Sequence, residues 1–178
     1  MSRSRAGRAA RLALAAGLAL ALSARPAVVE AEVSPEYEVK AAFLYNFTKF
    51  VEWPAEKFVE WPVERLPERV VAGKAVGGRA IEARRYKRAE DAGGAHVLFI
   101  ASSEASRLRA TFKALAGAHV LTVGDLERFA ERGGVVGFVT EESKVRFTVN
   151  TAAAARAELA LSSKLLKLAR IVEETPGG

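Results

Sequence analysis

Two short, almost purely apolar runs, residues 97–100 (VLFI) and 120–123 (VLTV), constrain the fold more than anything else in this sequence. A strand that is apolar on both faces must be covered on both, which is the situation of an interior strand in a parallel sheet. Residues 105–116 lie between the runs and carry a helical pattern that ends at Gly117. Strand, helix and strand in this order make a crossover unit. A local echo supports it: Gly94-Ala95-His96-Val97-Leu98 recurs as Gly117-Ala118-His119-Val120-Leu121, so each copy enters its strand in the same way.

The flanking segments extend the pattern. Residues 80–86 (AIEARRY) alternate like a half-buried strand, and Asp125 is placed to cap a helix that stops at Gly133-Gly134. Residues 135–140 and 145–149 are β-rich and are joined by Glu141-Glu142-Ser143-Lys144, which reads as a hairpin. Asn150 is expected to cap a helix over 152–159, and Ser162 a last helix that runs to Val172. The expected fold is α/β, three-layered, with a mainly parallel sheet, helices on both faces and a C-terminal antiparallel hairpin.

Ser34-Pro35-Glu36 is a helix start, with Ser as N-cap, Pro at the first position and an acid in the first turn. The helix is expected to reach Trp53, where Pro54 ends it. Val39, Phe43, Phe47 and Phe50 form its expected buried stripe, and Asn46 falls inside that stripe, buried and bonded to a neighbouring backbone. Residues 50–56 (FVEWPAE) are then nearly repeated at 58–64 (FVEWPVE). Two copies are too few for a solenoid, so the plain reading is a local duplication.

The first residues have the pattern of an export signal. Arg3, Arg5, Arg8 and Arg11 precede a run of Leu, Ala, Gly and Ser over 12–24 that is too short to span a bilayer. Cleavage can follow Ala24 or Ala31; Pro26, just past the first, favours Ala31, giving a signal over 1–31 and a single domain over 32–178. Cleavage there removes five arginines and Glu30, so the formal charge falls from +6 to +2. The basic character is therefore mostly a property of the signal and is no argument for nucleic-acid binding.

Catalytic chemistry is hard to find. The chain has no cysteine, which excludes disulfides, thiol catalysis and cysteine-ligated zinc. His96 and His119 both precede strand cores, at the N-terminal end of a parallel sheet, whereas open α/β sheets bind ligands at the opposite end. They read as structural residues, a metal pair being the alternative. Ser102-Ser103-Glu104 and Gly124-Asp125 read as helix caps, since a serine nucleophile would need a base within reach. We therefore assign no catalytic residue, metal or cofactor. Lys164, Lys167 and Arg170 step by three along the last expected helix and make one basic face, either a solvated surface or a docking surface for a membrane-associated partner.

Tyr37-Glu-Val-Lys-Ala-Ala-Phe-Leu-Tyr-Asn-Phe-Thr-Lys-Phe-Val-Glu-Trp-Pro54 resembles the opening motif of the YfiR-like periplasmic proteins. Gly73-Lys-Ala-Val-Gly-Gly-Arg79, His96-Val-Leu-Phe-Ile-Ala-Ser102, Val120-Leu-Thr-Val-Gly-Asp125, Phe129-Ala-Glu-Arg-Gly-Gly134, Val145-Arg-Phe-Thr-Val-Asn150 and Leu161-Ser-Ser-Lys-Leu-Leu-Lys-Leu-Ala-Arg170 are similar in the same order. Asn46, Trp53, Asn150 and Ser162 are the structural residues within these motifs. The resemblance implies a non-enzymatic negative regulator in the periplasm. It would bind the periplasmic domain of a membrane diguanylate cyclase or sensor kinase and lower cyclic di-GMP signalling and biofilm formation. A homodimer stays open, as does the alternative of a periplasmic small-ligand binding module.

Three departures stand out. The family's first strand, followed by Gly-Asp-Asp-Pro-Phe-Gly, is replaced here by the second Trp-Pro copy and Arg65-Leu66-Pro67. Residues 55–68 are therefore expected to be an irregular loop or short helical turn, leaving the sheet one strand short. Some relatives carry disulfides, and Gly137 stands where an asparagine is common.

Overall fold

The computed structural model describes residues 34–54, 73–76 and 79–175. The expected export segment, the second Trp-Pro copy and the expected loop over 55–68 lie outside the described residues. Chain contacts divide the protein into Met1–Glu32 and Val33–Gly178, and every element below belongs to the second unit. No helix among the described residues is long and apolar enough to cross a membrane.

In chain order the elements are α1 (Pro35–Phe47), β1 (Val51–Glu52), β2 (Ala75–Val76), β3 (Arg79–Ala80) and β4 (Val97–Ile100). A 3-10 segment (Ser102–Arg107) leads into α2 (Leu108–Ala114), followed by β5 (Leu121–Gly124), β6 (Val136–Glu141) and β7 (Lys144–Val149). The chain closes with α3 (Thr151–Arg156), β8 (Ala160–Leu161), α4 (Ser163–Leu168) and β9 (Arg170–Ile171). The central sheet has the order β4-β5-β6-β7-β9. β4, β5 and β6 are parallel, β7 returns antiparallel to β6, and β9 runs parallel to β7. The β6–β7 turn is the pair Glu142-Ser143, both at positive φ (49° and 60°), the geometry of a two-residue hairpin whose twist matches its strands. Two small antiparallel pairs, β1 with β8 and β2 with β3, lie outside this sheet.

Register sorts the side chains into two cores. Val97, Phe99, Leu121, Val123, Phe138 and Phe147 share one face and pack with Leu44 and Phe47 of α1, Ala153 of α3 and Leu165 of α4. Phe47 lies 5.0 Å from Phe147 and Phe43 lies 5.7 Å from it, both edge-on, an arrangement the ring quadrupoles favour. Each fully buried ring contributes about 1.5–3 kcal/mol. On the opposite face Leu98 and Ile100 meet Leu108, Leu115 and Phe129. The Phe129 ring lies directly on Gly124 and Gly134: a Cβ on Gly124 would stand 2.5 Å from Phe129 Cδ2. Gly137 has the same role, since a Cβ there would meet Thr148 Oγ1 at 2.9 Å and Ala130 N at 3.2 Å. An asparagine at position 137 does not fit this packing.

Several expectations need correction. α1 stops at Phe47, not Trp53, because the chain turns so that β1 can pair with β8 and the Phe50 carbonyl can accept from Ser162 N (2.9 Å). Its buried stripe is Lys40, Ala41, Leu44 and Phe47, whereas Val39 is 44% exposed. Asn46 is exposed, contrary to the burial expected for it, and its Oδ1 accepts only a long bond from Lys49 Nζ (3.4 Å). The strand expected over 80–86 shrinks to β3; beyond it, Glu82, Arg84 and Arg85 face solvent and residues 81–86 form no ladder. No regular helix follows Asp125. Residues 126–133 form successive turns held by buried Leu126 and Phe129, with Arg128 and Gly133 at positive φ, so α2 and these turns together cover that face. The last helix ends at Leu168, because Arg170 and Ile171 leave it to extend the sheet beside Thr148 and Val149.

Candidate functional site

Strand β4 delivers Ser102 and β5 delivers Asp125 to the C-terminal edge of the parallel strands, the edge at which such sheets place their sites. There Asp125 meets α1. Its Oδ2 accepts from Lys40 Nζ at 3.0 Å and from the Tyr37 hydroxyl at 3.3 Å, and its Oδ1 accepts from the Ser102 backbone N–H at 2.9 Å. Lys40 also pairs with Glu36 one turn earlier (2.8 Å), and its ammonium lies 4.7 Å from the centre of the Tyr37 ring. The Lys40 and Asp125 side chains are only 6% and 8% exposed.

Burial alone pushes the Lys40 ammonium down. Its hydrogen bonds and charge attraction to Glu36 and Asp125 outweigh burial, so its pKa lies above the ordinary 10.5 and it stays charged. Both Asp125 oxygens are thus engaged by donors from α1 and from the end of β4. The cluster fastens α1 to the ends of β4 and β5. The sequence offered a signal for it: Lys40 falls at helical spacing between Tyr37 and Leu44, on the face that is buried.

The structural residues expected from the motifs sit elsewhere. Asn150 is fully buried at the N-cap of α3; its Oδ1 accepts from Ala153 N (2.8 Å) and its Nδ2 donates to the Ala130 carbonyl (2.8 Å). Ser162 Oγ accepts from Leu165 N at the start of α4 (3.3 Å). Trp53 donates through Nε1 to the His96 carbonyl (3.2 Å) and meets the His96 ring edge-on at 5.5 Å, tying the end of β1 to the entry of β4. His119, at positive φ, sets Nδ1 against the Ala157 carbonyl (3.3 Å) and Glu158 (3.4 Å). The histidines enter adjacent parallel strands at their N-terminal ends, and among the described residues no three metal-ligating side chains converge.

The basic stripe is not one helix face. Lys164 and Lys167 are exposed on α4, while Arg170 lies on β9 and pairs with Glu141 of β6 (2.9 Å). Between them Leu168 is 73% exposed, and Ile171 beyond Arg170 is 49% exposed. Of this segment only Leu165 is fully buried, and the stripe becomes a mixed basic and apolar surface at the sheet edge.

A solved structure of a conserved domain protein from Vibrio cholerae O1 biovar El Tor superposes with a TM-score of 0.53 at 15% identity, over 78% of this chain and 60% of that one. This chain therefore spans about three-fifths of the Vibrio protein, and the likeness establishes the fold alone. No curated protein matches the sequence. The YfiR/HmsC-like family model, however, matches residues 37–170, from the Tyr37 that bonds Asp125 to the Arg170 that opens β9. By that match, which covers most of its length, the chain belongs to the YfiR/HmsC-like family.

Proposed function

We propose that this chain is a periplasmic negative regulator that binds the outer domain of a membrane diguanylate cyclase or sensor kinase and lowers cyclic di-GMP signalling. Membership of the YfiR/HmsC-like family supports a regulatory rather than a catalytic role, and the match over 37–170 carries the reading. The docking surface is the strip of α4 and β9, where Lys164, Lys167 and Arg170 surround Leu168 and Ile171. Exposed apolar side chains ringed by charge have the composition of a protein contact, and the cations favour an acidic partner surface. Residues 1–31 would carry the chain to that compartment.

The test is capture from detergent-solubilised membranes, with residues 32–178 as bait. Enrichment of a membrane protein bearing a cyclase or histidine-kinase domain is expected. Its loss on changing Lys164→Glu and Lys167→Glu, with the melting temperature unchanged, is expected too. Arg170 is best tested separately, since its change also breaks the pair with Glu141. Retention of the partner by the doubly reversed bait would remove this strip from the interface.

A further inference from the structure

A groove of about 980 Å³ opens between α2 and α3, where Val120 and Val135 lead into β5 and β6. Its floor is apolar: Val120 and Val135 are buried there and Phe112 forms one wall, its ring edge-on to Phe129 at 5.7 Å. Its rim is basic, with Lys113, Arg132 and Arg156 among the lining residues. Glu174 also reaches the groove, but Arg156 already holds it in an ion pair. Arg132 has a neutral partner at the rim, the Ala105 carbonyl, at a long 3.5 Å. The volume lies at the upper end of what small-molecule sites use, and an apolar floor with a few convergent polar groups is their usual composition.

We propose that this groove binds a small amphipathic anion, its carboxylate or sulfonate held by Lys113 and Arg132 and its apolar body laid over Val120, Val135 and Phe112. An anionic head meets cations there that the protein's own acids do not fully match, which a neutral apolar molecule would leave unused. Guanidinium and carboxylate or sulfonate groups form the short, charge-assisted bonds that make such a contact directional. The inference stands apart from the regulator reading, because it concerns the isolated chain and needs no membrane partner.

The probes are anilinonaphthalene sulfonate and its uncharged analogue N-phenylnaphthylamine, titrated by fluorescence into the purified full chain. The sulfonate should bind saturably, more tightly than the neutral probe, and more weakly as salt screens the rim. Lys113→Gln with Arg132→Gln should weaken the sulfonate by roughly fivefold to tenfold, as expected for two partly exposed ion pairs. It should leave the neutral probe within about twofold, which also shows that the groove remains formed. Ala116→Trp, an exposed lining position, should block both probes without lowering the melting temperature. Equal affinity for the two probes, or a sulfonate affinity unmoved by the double change, would overturn the proposal. So would binding of an acidic peptide but of neither small probe.

Discussion

Replacing Asn150 by alanine removes two hydrogen bonds from a position with no access to water. Asn150 Oδ1 caps α3 at Ala153 N, and its Nδ2 satisfies the carbonyl of Ala130, twenty residues earlier in the chain. Loss of an N-cap costs about 0.5–2 kcal/mol. A buried acceptor left without a donor costs about 1–3 kcal/mol more. Together these give about 1.5–5 kcal/mol, larger than a cap alone, because the same side chain joins the turns over the sheet to the helix after β7. In a domain of this size each kcal/mol moves the melting temperature by about 2–4 °C, so Asn150→Ala should melt roughly 3–20 °C below the parent. Asn150→Ser restores a capping oxygen but does not reach Ala130, and should recover only part of the loss. Calorimetry or circular dichroism of the three proteins decides it. An alanine variant within about 2 °C of the parent, or a serine variant equal to it, would refute the reasoning.

Gly134→Ala should destabilise by about 1–3 kcal/mol or more, because the new Cβ overlaps the Phe129 ring, whereas Gly94→Ala, with open space around it, should be neutral or slightly stabilising; denaturant midpoints separate the two. Lys40→Met should cost about 3 kcal/mol by leaving Asp125 without its cation. The raised pKa of Lys40 means that its contribution is complete below about pH 10.5 and is lost as pH climbs through the folded value. Urea melts should therefore show a constant difference between parent and Lys40→Met from about pH 7 to about pH 10, narrowing at strongly alkaline pH; a gap that already narrows between about pH 9 and pH 7 would contradict this assignment.

Much of the sheet was legible because its strands announce themselves locally. β4 and β5 are apolar on both faces, and the β6–β7 turn falls between two β-rich runs. What was illegible depended on partners far along the chain. Nothing near Phe47 says that α1 must stop there; the reason is Leu161 and Ser162, which β1 and Phe50 meet after more than a hundred intervening residues. The aromatics of α1 point to one stripe, yet Leu44 and Ala41 turn inward and carry Lys40 with them, while Asn46 turns out. Asp125 looked like a cap because capping is what an aspartate after a strand most often does. Its actual partners, Tyr37 and Lys40, lie more than eighty residues earlier. Arg170 and Ile171 continue the helical spacing of α4, while the open edge of β7 offers them a ladder that spacing does not reveal.

The most direct test of the regulator account is intracellular cyclic di-GMP in the organism that encodes the chain, measured with the gene intact, deleted and restored. The account predicts that deletion raises the nucleotide and that the full chain restores the lower level. Residues 32–178 alone, lacking the proposed export segment, should not restore it. An unchanged level on deletion, or full rescue by the form without residues 1–31, would contradict it.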